Sequence, residues 1–394
     1  MADVSYNPYS TETDRDPFPV YARLRDEAPA YRNDELDFYA LSRYADVLEA
    51  LHDTDTFCSR HGITLEPKSP LPMMITMDPP EHTKMRRLVS RVFTPKRIAA
   101  LEPHIRALSA KHLDRFVDQG HGDLIADYSA KLPMDVISTM LGVPEPDQDL
   151  LREWTDSMID REDGNPEILP HGIEGATNIY LYFLEAVKRK RSAGPRVDED
   201  GADLIDGLLV AELDGQRLSD DEIVGFCFLL IIAGNETTTK LIGNAMFWLD
   251  RCPDQRRLVL DDRARMAEVV EETLRHDGST QLMARTLTKD TVRHGVTMPE
   301  GTKVLLLLGA ANHDPRVFDD PERFDISRTT PHVGLGHGVH VCLGAALARV
   351  ETRLALEDLH DRLLDYEIDV DGLRRINSGN VRGYASMPIT FRPG

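Results

Sequence analysis

One cysteine, Cys342, ends a glycine-rich stretch over residues 333–344, and a helical pattern follows at once from Ala345. The stretch has three glycines in five residues, which permit left-handed turns and close backbone approaches. At a helix N-terminus, unpaired N–H groups and the positive end of the macrodipole favour a thiolate over a thiol. A single cysteine thiolate can hold haem iron. The stretch therefore indicates a thiolate ligand for a metal or a haem.

Other interpretations of this stretch compete on the residues alone. A dinucleotide-binding loop is disfavoured because Gly336 and Gly338 are not followed by a third glycine at the required spacing. A zinc site could use His337, His340 and Cys342, but no paired cysteines at zinc spacing accompany them. A buried and inert thiol is the commonest fate of a lone cysteine. The residues by themselves do not decide between the metal ligand and the inert thiol.

A second stretch combines a long apolar helix with polar groups at its centre. Ser219 and Glu222 have the spacing of a capping box, and apolar residues then recur at helical spacing to about Leu249. A helix of about 30 residues is about 45 Å long, which is enough to cross a domain. Residues 233–239 bring a glycine, an acid and three hydroxyls into it, and their burial costs free energy unless they are paired or used. Thr237 can donate a hydrogen bond one turn back, so the segment is either a satisfied polar bend or part of a site.

The composition indicates a globular protein and excludes several other classes. The chain has 394 residues, of which 41% are hydrophobic and 29% charged, as in ordinary globular proteins. No repeat or linker divides it, so we expect a single domain over residues 1–394. A formal net charge of −21 argues against nucleic acid as a partner. Four cysteines make no disulfide framework, and no signal peptide or membrane anchor is visible, so we expect a cytoplasmic protein.

The cysteine stretch resembles the haem-binding signature of the cytochrome P450 monooxygenases, Phe-Gly-x-Gly-x-His-x-Cys-x-Gly. Residues 335–344 follow it, with Leu335 in place of the usual phenylalanine, a departure that affects packing and redox tuning beside the sulfur. The resemblance implies that Cys342 is the axial thiolate of a haem b. It further implies that the cofactor is bound by His82, Arg86, Ala233, Arg285, Leu335, Gly336, His340 and Gly344, with the four basic residues on the propionates.

The resemblance extends from about residue 15 to the C-terminus. It implies the cytochrome P450 fold, mainly α with a small β portion, in which one haem lies between the long central helix and the cysteine loop. Glu236 and Thr237 match the acid and the threonine that relay protons in this family. Glu272 and Arg275 match its Glu-x-x-Arg motif, and Arg323 of a later loop is expected to join them in a structural role.

The resemblance also implies an activity. The enzyme would insert one oxygen atom from O₂ into a C–H or C=C bond of an apolar small molecule, with electrons from a ferredoxin and a ferredoxin reductase. Arg87, Arg91 and Arg349 would give the ferredoxin a basic patch. A peroxide-driven enzyme and a non-catalytic haem-binding sensor stay open as alternatives. The expected apolar substrate pocket comprises Met73, Met74, Ile75, Ile231, Ile232, Leu282, Met283 and Val381.

Overall fold

The computed structural model describes residues 4–66, 68–90, 93–196, 202–213 and 215–394. The helices of this part are α1 (Thr11–Arg15), α2 (Phe18–Glu27), α3 (Tyr44–His52), α4 (Glu81–Ser90), α5 (Pro95–Ala100), α6 (Glu102–Leu113), α7 (Leu132–Leu141), α8 (Glu145–Ser157), α9 (Pro170–Ala193), α10 (Leu204–Val210), α11 (Asp220–Arg251), α12 (Pro253–Asp261), α13 (Met266–His276), α14 (Leu308–Ala311) and α15 (Ala345–Arg362). Its strands are β1 (Ala30–Asn33), β2 (Phe38–Leu41), β3 (Phe57–Cys58), β4 (His121–Asp123), β5 (Glu212–Leu213), β6 (Gln216–Arg217), β7 (Leu282–Leu287), β8 (Thr291–Arg293), β9 (Val296–Met298), β10 (Lys303–Leu307), β11 (Leu363–Ile368), β12 (Arg374–Arg375), β13 (Tyr384–Ser386) and β14 (Pro388–Pro393). The predicted mainly helical architecture with a small β portion is confirmed.

The central helix, α11, begins at the predicted capping box. The Ser219 hydroxyl accepts from the backbone N–H of Glu222, and the Glu222 carboxylate accepts from the backbone N–H of Ser219. These two bonds satisfy donors that a helix start leaves free. With 32 residues, α11 is long and apolar enough to cross a bilayer, but most of its apolar stretch is buried inside the protein, as in a core helix.

Two apolar clusters lie along α11 and are built from different parts of the chain. One half of the helix, with Ile223 and Cys227, packs with residues of α7, α9 and α10. The other half, with Ile242 and Met246, packs with residues of α6, α13 and α15. The helix therefore holds the helical layers together, and its middle turn, near Gly234, lies where the two clusters meet.

The sheets bring distant segments together. The largest has the strand order β1-β2-β10-β7-β3, with β10 parallel to β2 and its other pairs antiparallel. A three-stranded sheet has the order β11-β14-β4. In the large sheet β7 carries Arg285, and the loop beyond β10 and α14 leads to the cysteine loop, so this sheet positions one edge of the site.

Candidate haem-binding active site

Glycines let the cysteine loop, residues 333–344, lie directly against two helices. A Cβ atom on Gly334 would collide with the carbonyl oxygen of Leu274 in α13. A Cβ atom on Gly338 would lie 2.6 Å from the carbonyl oxygen of Leu51 in α3. Gly338 also has φ +67°, in the left-handed region that favours glycine. The loop is thereby fixed between α3 and α13 by close backbone contact.

The sulfur of Cys342 faces a cavity just before α15 begins. Its backbone N–H donates to the carbonyl oxygen of Leu335 at 2.9 Å, which closes the loop. Burial raises the pKa of the Cys342 thiol, while the backbone N–H of Gly344 and the charges of Arg86 and Arg349 lower it by less. The predicted effect of the helix start is therefore present but smaller than that of burial, which favours the thiol. A bound metal cation reverses this balance, because coordination deprotonates the thiol.

The cavity separates the cysteine loop from α11. It has a volume of about 1300 Å³, open solvent at its mouth included. The loop lines it with Gly334, Leu335, Gly336, His340, Cys342, Leu343 and Gly344. The helix lines it with Phe226, Leu229, Leu230, Ala233, Gly234, Thr237, Thr238 and Leu241, and the Thr237 hydroxyl donates to the Ala233 carbonyl at 2.7 Å, as predicted.

A group of buried and half-buried basic side chains lies on the cavity without a carboxylate among the described residues that line it. The group consists of His82, Arg86, Arg285 and His340. The rings of His82 and His340 are 4.1 Å apart, and neither ring nitrogen of His82 has a hydrogen-bond partner in the described structure. Burial lowers the pKa of Arg285 to about 10 and, with nearby positive charge, that of His340 to about 3. The carboxylate of Asp78 acts on His82 and Arg285 but is itself bound by Arg60 at 2.8 Å.

This arrangement fits a haem. Buried cations are costly unless an anion joins them, and the two propionates of a haem would supply one. One cysteine thiol faces the same cavity, and the opposite wall on α11 is mostly apolar. Cys342 would hold the iron, and the basic group would hold the propionates.

The zinc alternative has no such support. The Nδ1 atom of His337 lies 2.8 Å from Nε2 of His52, so this ring pairs with α3 and not with Cys342. Among the described residues, no group of three or more histidine, cysteine, aspartate or glutamate side chains is arranged to hold a metal ion. The inert-thiol alternative is also disfavoured, since Cys342 lines a cavity instead of the core.

The predicted substrate pocket is partly wrong. Met74, Ile75 and Met283 line the cavity, whereas Met73, Ile231, Ile232, Leu282 and Val381 do not. Ile231 is fully buried on another face of α11, because the face toward the cavity follows the helical spacing of Ala233 and Thr237.

Side chains of strand β7 alternate between the two faces of the sheet, so only every second residue faces the cavity. Met283 and Arg285 face the cavity, whereas Leu282 and Ala284 face an apolar cluster on the other side of the sheet. Counting back from Thr237 in steps of three and four would have found residues that the prediction missed, notably Phe226, Leu229 and Leu230.

Glu236 lies behind α11 and not on the cavity. It is buried, and its Oε2 atom lies 3.2 Å from the Nζ atom of Lys240, one turn along the helix. Successive helical residues point about 100° apart, so Thr237 faces the cavity while Glu236 faces α8. The predicted acid and threonine are thus neighbours on different faces of α11, and only the threonine lines the cavity.

The structural ion cluster is corrected in one member. Arg275 donates to both carboxylate oxygens of Glu272, at 2.8 and 2.7 Å, and both side chains are buried. Arg323 contributes its backbone carbonyl to Arg275, but its side chain is 56% exposed and lies 4.0 Å from Asp254. Arg328 takes the predicted place, with its Nε atom 3.4 Å from Glu272. Arg328 follows Arg323 by five residues in the same loop, so the match to the family motif selected the wrong arginine.

Comparison with known proteins identifies the family of this chain. A profile of the cytochrome P450 family matches residues 173–370. Cytochrome P450 123 of Mycobacterium tuberculosis is 44% identical over 98% of this chain and 96% of that protein. A vitamin D(3) 25-hydroxylase of Pseudonocardia autotrophica is 38% identical over 96% of this chain and 94% of that protein.

A solved structure shows that the chain has the cytochrome P450 fold. Cytochrome P450 CYP109Q5 from Chondromyces apiculatus superposes with a TM-score of 0.90 at 32% identity, and the match covers 99% of both chains. These matches confirm the resemblance that the cysteine loop carries and the haem cofactor that it implies. The chain belongs to the cytochrome P450 family of haem-binding monooxygenases.

Proposed function

We propose that this monooxygenase oxidises a neutral apolar small molecule at a C–H or C=C bond, with electrons from a ferredoxin and a ferredoxin reductase. The observation that supports this proposal is the distribution of charge in the cavity. Its basic side chains form the group that fits the propionates, and the remaining lining residues are apolar or carry only hydroxyls, as Ser279, Thr280 and Thr238 do. A substrate carboxylate in that part would be buried without a partner, which costs several kcal/mol. A neutral substrate avoids this cost.

The residues of the chain have separate tasks in this proposal. Bound haem supplies the oxygen-activating chemistry, and Cys342 is its axial ligand. Thr237 presents its hydroxyl oxygen to the cavity, where it can hold a proton donor beside the reacting atoms. Glu236 would supply protons from behind the helix. A cytoplasmic location stays a prediction.

The test is reconstitution with a ferredoxin, its reductase and isotope-labelled O₂. Vitamin D(3) and other neutral sterols are the first compounds to offer, since a vitamin D(3) 25-hydroxylase is among the relatives. We expect one labelled oxygen atom in the product and weaker binding of fatty acids with a free carboxylate. Product formed with peroxide but not with ferredoxin and O₂ would favour the peroxide-driven alternative instead.

Replacing Arg285 with alanine should weaken haem binding. The mutation removes a buried cation from the propionate group, and a hydrogen bond to a charged partner contributes about 1.5–3 kcal/mol, or roughly 10- to 100-fold in affinity. Haem transfer to an acceptor protein measures the loss. Arg293→Ala is the matched control, because Arg293 lies on β8 and pairs with Glu49 away from the cavity. Equal haem retention by both variants would contradict the assignment.

Arg87 is the better candidate for contact with the ferredoxin. It is exposed on α4 and has no ion pair within the described residues, whereas Arg349 binds both carboxylate oxygens of Glu271. The predicted third member, Arg91, lies outside the described residues. Because Glu271 already neutralises Arg349, the charge available to an acidic partner comes mainly from α4.

Reversing this charge should slow electron transfer. Arg87→Glu is expected to lower the rate several-fold at low ionic strength, and added salt should shrink the difference. Arg374→Glu is the control, since Arg374 is also exposed and has no ion pair within the described residues. Stopped-flow reduction by ferredoxin measures both. A rate for Arg87→Glu equal to that of the control would reject the patch.

A further inference from the structure

We propose that Arg382 is a positioning residue for the substrate, which fixes one wall of the cavity from behind and so decides which part of the substrate faces the reacting centre. The inference rests on the proposed function, because it concerns how the proposed apolar substrate is oriented. Arg382 does not line the cavity itself, and it follows Val381, which was predicted to line it. The role assigned here is therefore indirect and acts through other residues.

The wall in question consists of residues 277–281, which join α13 to β7 and belong to neither element. Two of the five, Ser279 and Thr280, line the cavity, and their hydroxyl groups have no hydrogen-bond partner among the described residues. A hydroxyl group can both donate and accept a hydrogen bond. The two residues can therefore bind one hydroxyl or carbonyl oxygen of an otherwise apolar, neutral substrate.

Arg382 holds this wall segment at two points. Its backbone N–H donates to the carbonyl oxygen of Ser279 at 2.8 Å. Its Nε atom donates to Oδ1 of Asp277 at 2.8 Å, and both side chains are buried. The side-chain amide of Asn244 in α11 donates to the carbonyl of Asp277 at 2.8 Å and to that of Arg382 at 3.4 Å. An irregular segment has no regular ladder of backbone hydrogen bonds, so its position depends on contacts of this kind.

The ion pair behind the wall is charged on both sides. Burial acts to raise the pKa of Asp277, but the charges of Arg382 and Arg375 outweigh it, so this pKa lies below its ordinary value. The indole N–H of Trp248 donates to Oδ2 of Asp277 at 3.0 Å. Hydrogen bonds to an ionised carboxylate are short and directional. Because both oxygens of Asp277 are bound, the start of the wall segment is held in one geometry.

The N-terminal helix binds the other end of the arginine. A terminal nitrogen of Arg382 donates to the carbonyl oxygen of Asp14 in α1 and lies 3.4 Å from Oδ1 of the same residue. A planar guanidinium binds partners in fixed directions, and a lysine ammonium does not reproduce this arrangement. Arg382 thus connects α1 to the cavity wall and leaves the wall little freedom to shift.

The first arm of the test measures amide exchange in the haem-loaded protein and needs no substrate. The reporter is the amide of Gln281, which ends the wall segment and donates to the carbonyl of Asn380 at 2.9 Å. Arg382→Lys keeps a positive charge beside Asp277 but cannot make both side-chain contacts. We expect this variant to exchange the Gln281 amide at least about 10-fold faster than the wild type, because local opening becomes easier.

The matched control for exchange is Arg106→Lys. Arg106 binds two carboxylates, those of Glu357 and Asp358, away from the cavity, so its replacement should leave the Gln281 amide unchanged. Asp14→Ala is a milder second variant that keeps the arginine and its pair with Asp277, and it should also exchange faster than the control. Equal exchange in all three variants would overturn the proposal.

The second arm measures kinetics with the neutral sterol that the wild type oxidises in the reconstituted system. Arg382→Lys should raise KM about 10-fold, change the ratio of products and alter kcat by less than about 2-fold. The split is expected because Cys342 and Thr237 lie on other walls and keep their places. A merely structural role would instead lower haem content and the carbon monoxide band together, with the product ratio unchanged.

A double-mutant cycle shows whether the arginine acts through the wall. Ser279→Ala combined with Thr280→Val removes the hydroxyls, leaves Arg382 in place and should change the product ratio by itself. Adding Arg382→Lys to that background should alter KM by less than about 2-fold, because its targets are already gone. Effects on KM that multiply, or a product ratio that stays the same in these variants, would overturn the proposal. If the wild type oxidises no sterol, the proposed function fails, and the exchange arm still decides whether Arg382 fixes the wall.

Discussion

Cys342→Ala is expected to abolish oxygenation and to remove the red-shifted Soret band that sulfur ligation gives the carbon monoxide complex of the reduced protein. The variant loses the only cysteine thiol among the described residues that line the cavity. Mutation of groups that merely support a metal ligand typically costs 10- to 100-fold in affinity or activity, so loss of the ligand itself should exceed about 100-fold. The apolar walls and the basic group at the propionates remain in the variant, so some haem binding should persist.

Cys252→Ala is the matched control for this change. Cys252 is half-buried at the end of α11 and takes no part in the cavity, so its removal should leave the spectrum and turnover unchanged. Difference spectra of the two variants at equal haem content make the comparison. A red-shifted band that persists in Cys342→Ala would mean that another group binds the iron.

The largest effect on stability is expected from Arg275→Ala. The change leaves the buried Glu272 carboxylate without the arginine that binds both its oxygens, and breaking a buried pair typically costs about 3–5 kcal/mol. The same side chain donates to the carbonyls of Asn312, Pro321 and Arg323, so α13 would also lose its connection to the segment that follows α14. Denaturant unfolding, followed by circular dichroism, measures the loss.

Two further arginines test the corrected assignment. Arg328→Ala should cost about 1.5–3 kcal/mol, because Arg328 is mostly buried and donates to the carbonyls of Asp319 and Asp320 at 2.6 Å. Arg323→Ala should cost less than about 1 kcal/mol, since its side chain is exposed and its ion pair is a surface pair. The reverse order of these two losses would restore the original prediction.

Local patterns were sufficient to predict the central helix and the cysteine loop. The capping box at Ser219 acts within one helix turn, and the structure places the start of α11 there. The cysteine loop was equally clear, because its glycines reflect backbone contacts that few other residues allow. Such signals depend on neighbours in the sequence, and a single chain displays them directly.

The predictions of site residues were wrong where they depended on the direction of a side chain or on a contact between residues far apart in the sequence. Ile231 and Leu282 were chosen for their apolar character near the site, but the periods of helix and strand turn both away from the cavity. Arg328 was missed because its partner, Glu272, lies on α13, 56 residues earlier in the chain. No local pattern reports a contact of that kind.

The parallel pairing of β2 with β10 has a consequence for synthesis of the protein. Phe38 pairs with Lys303, so an early segment must wait for a late one before the large sheet can be completed. Contacts between segments so distant in sequence slow folding and leave strand edges open in the meantime. The cysteine comes later still, so a nascent chain on the ribosome cannot capture its cofactor until residue 342 has been translated. Haem supply and chaperone protection should therefore both limit the yield, and a shortage of either should give aggregated apoprotein.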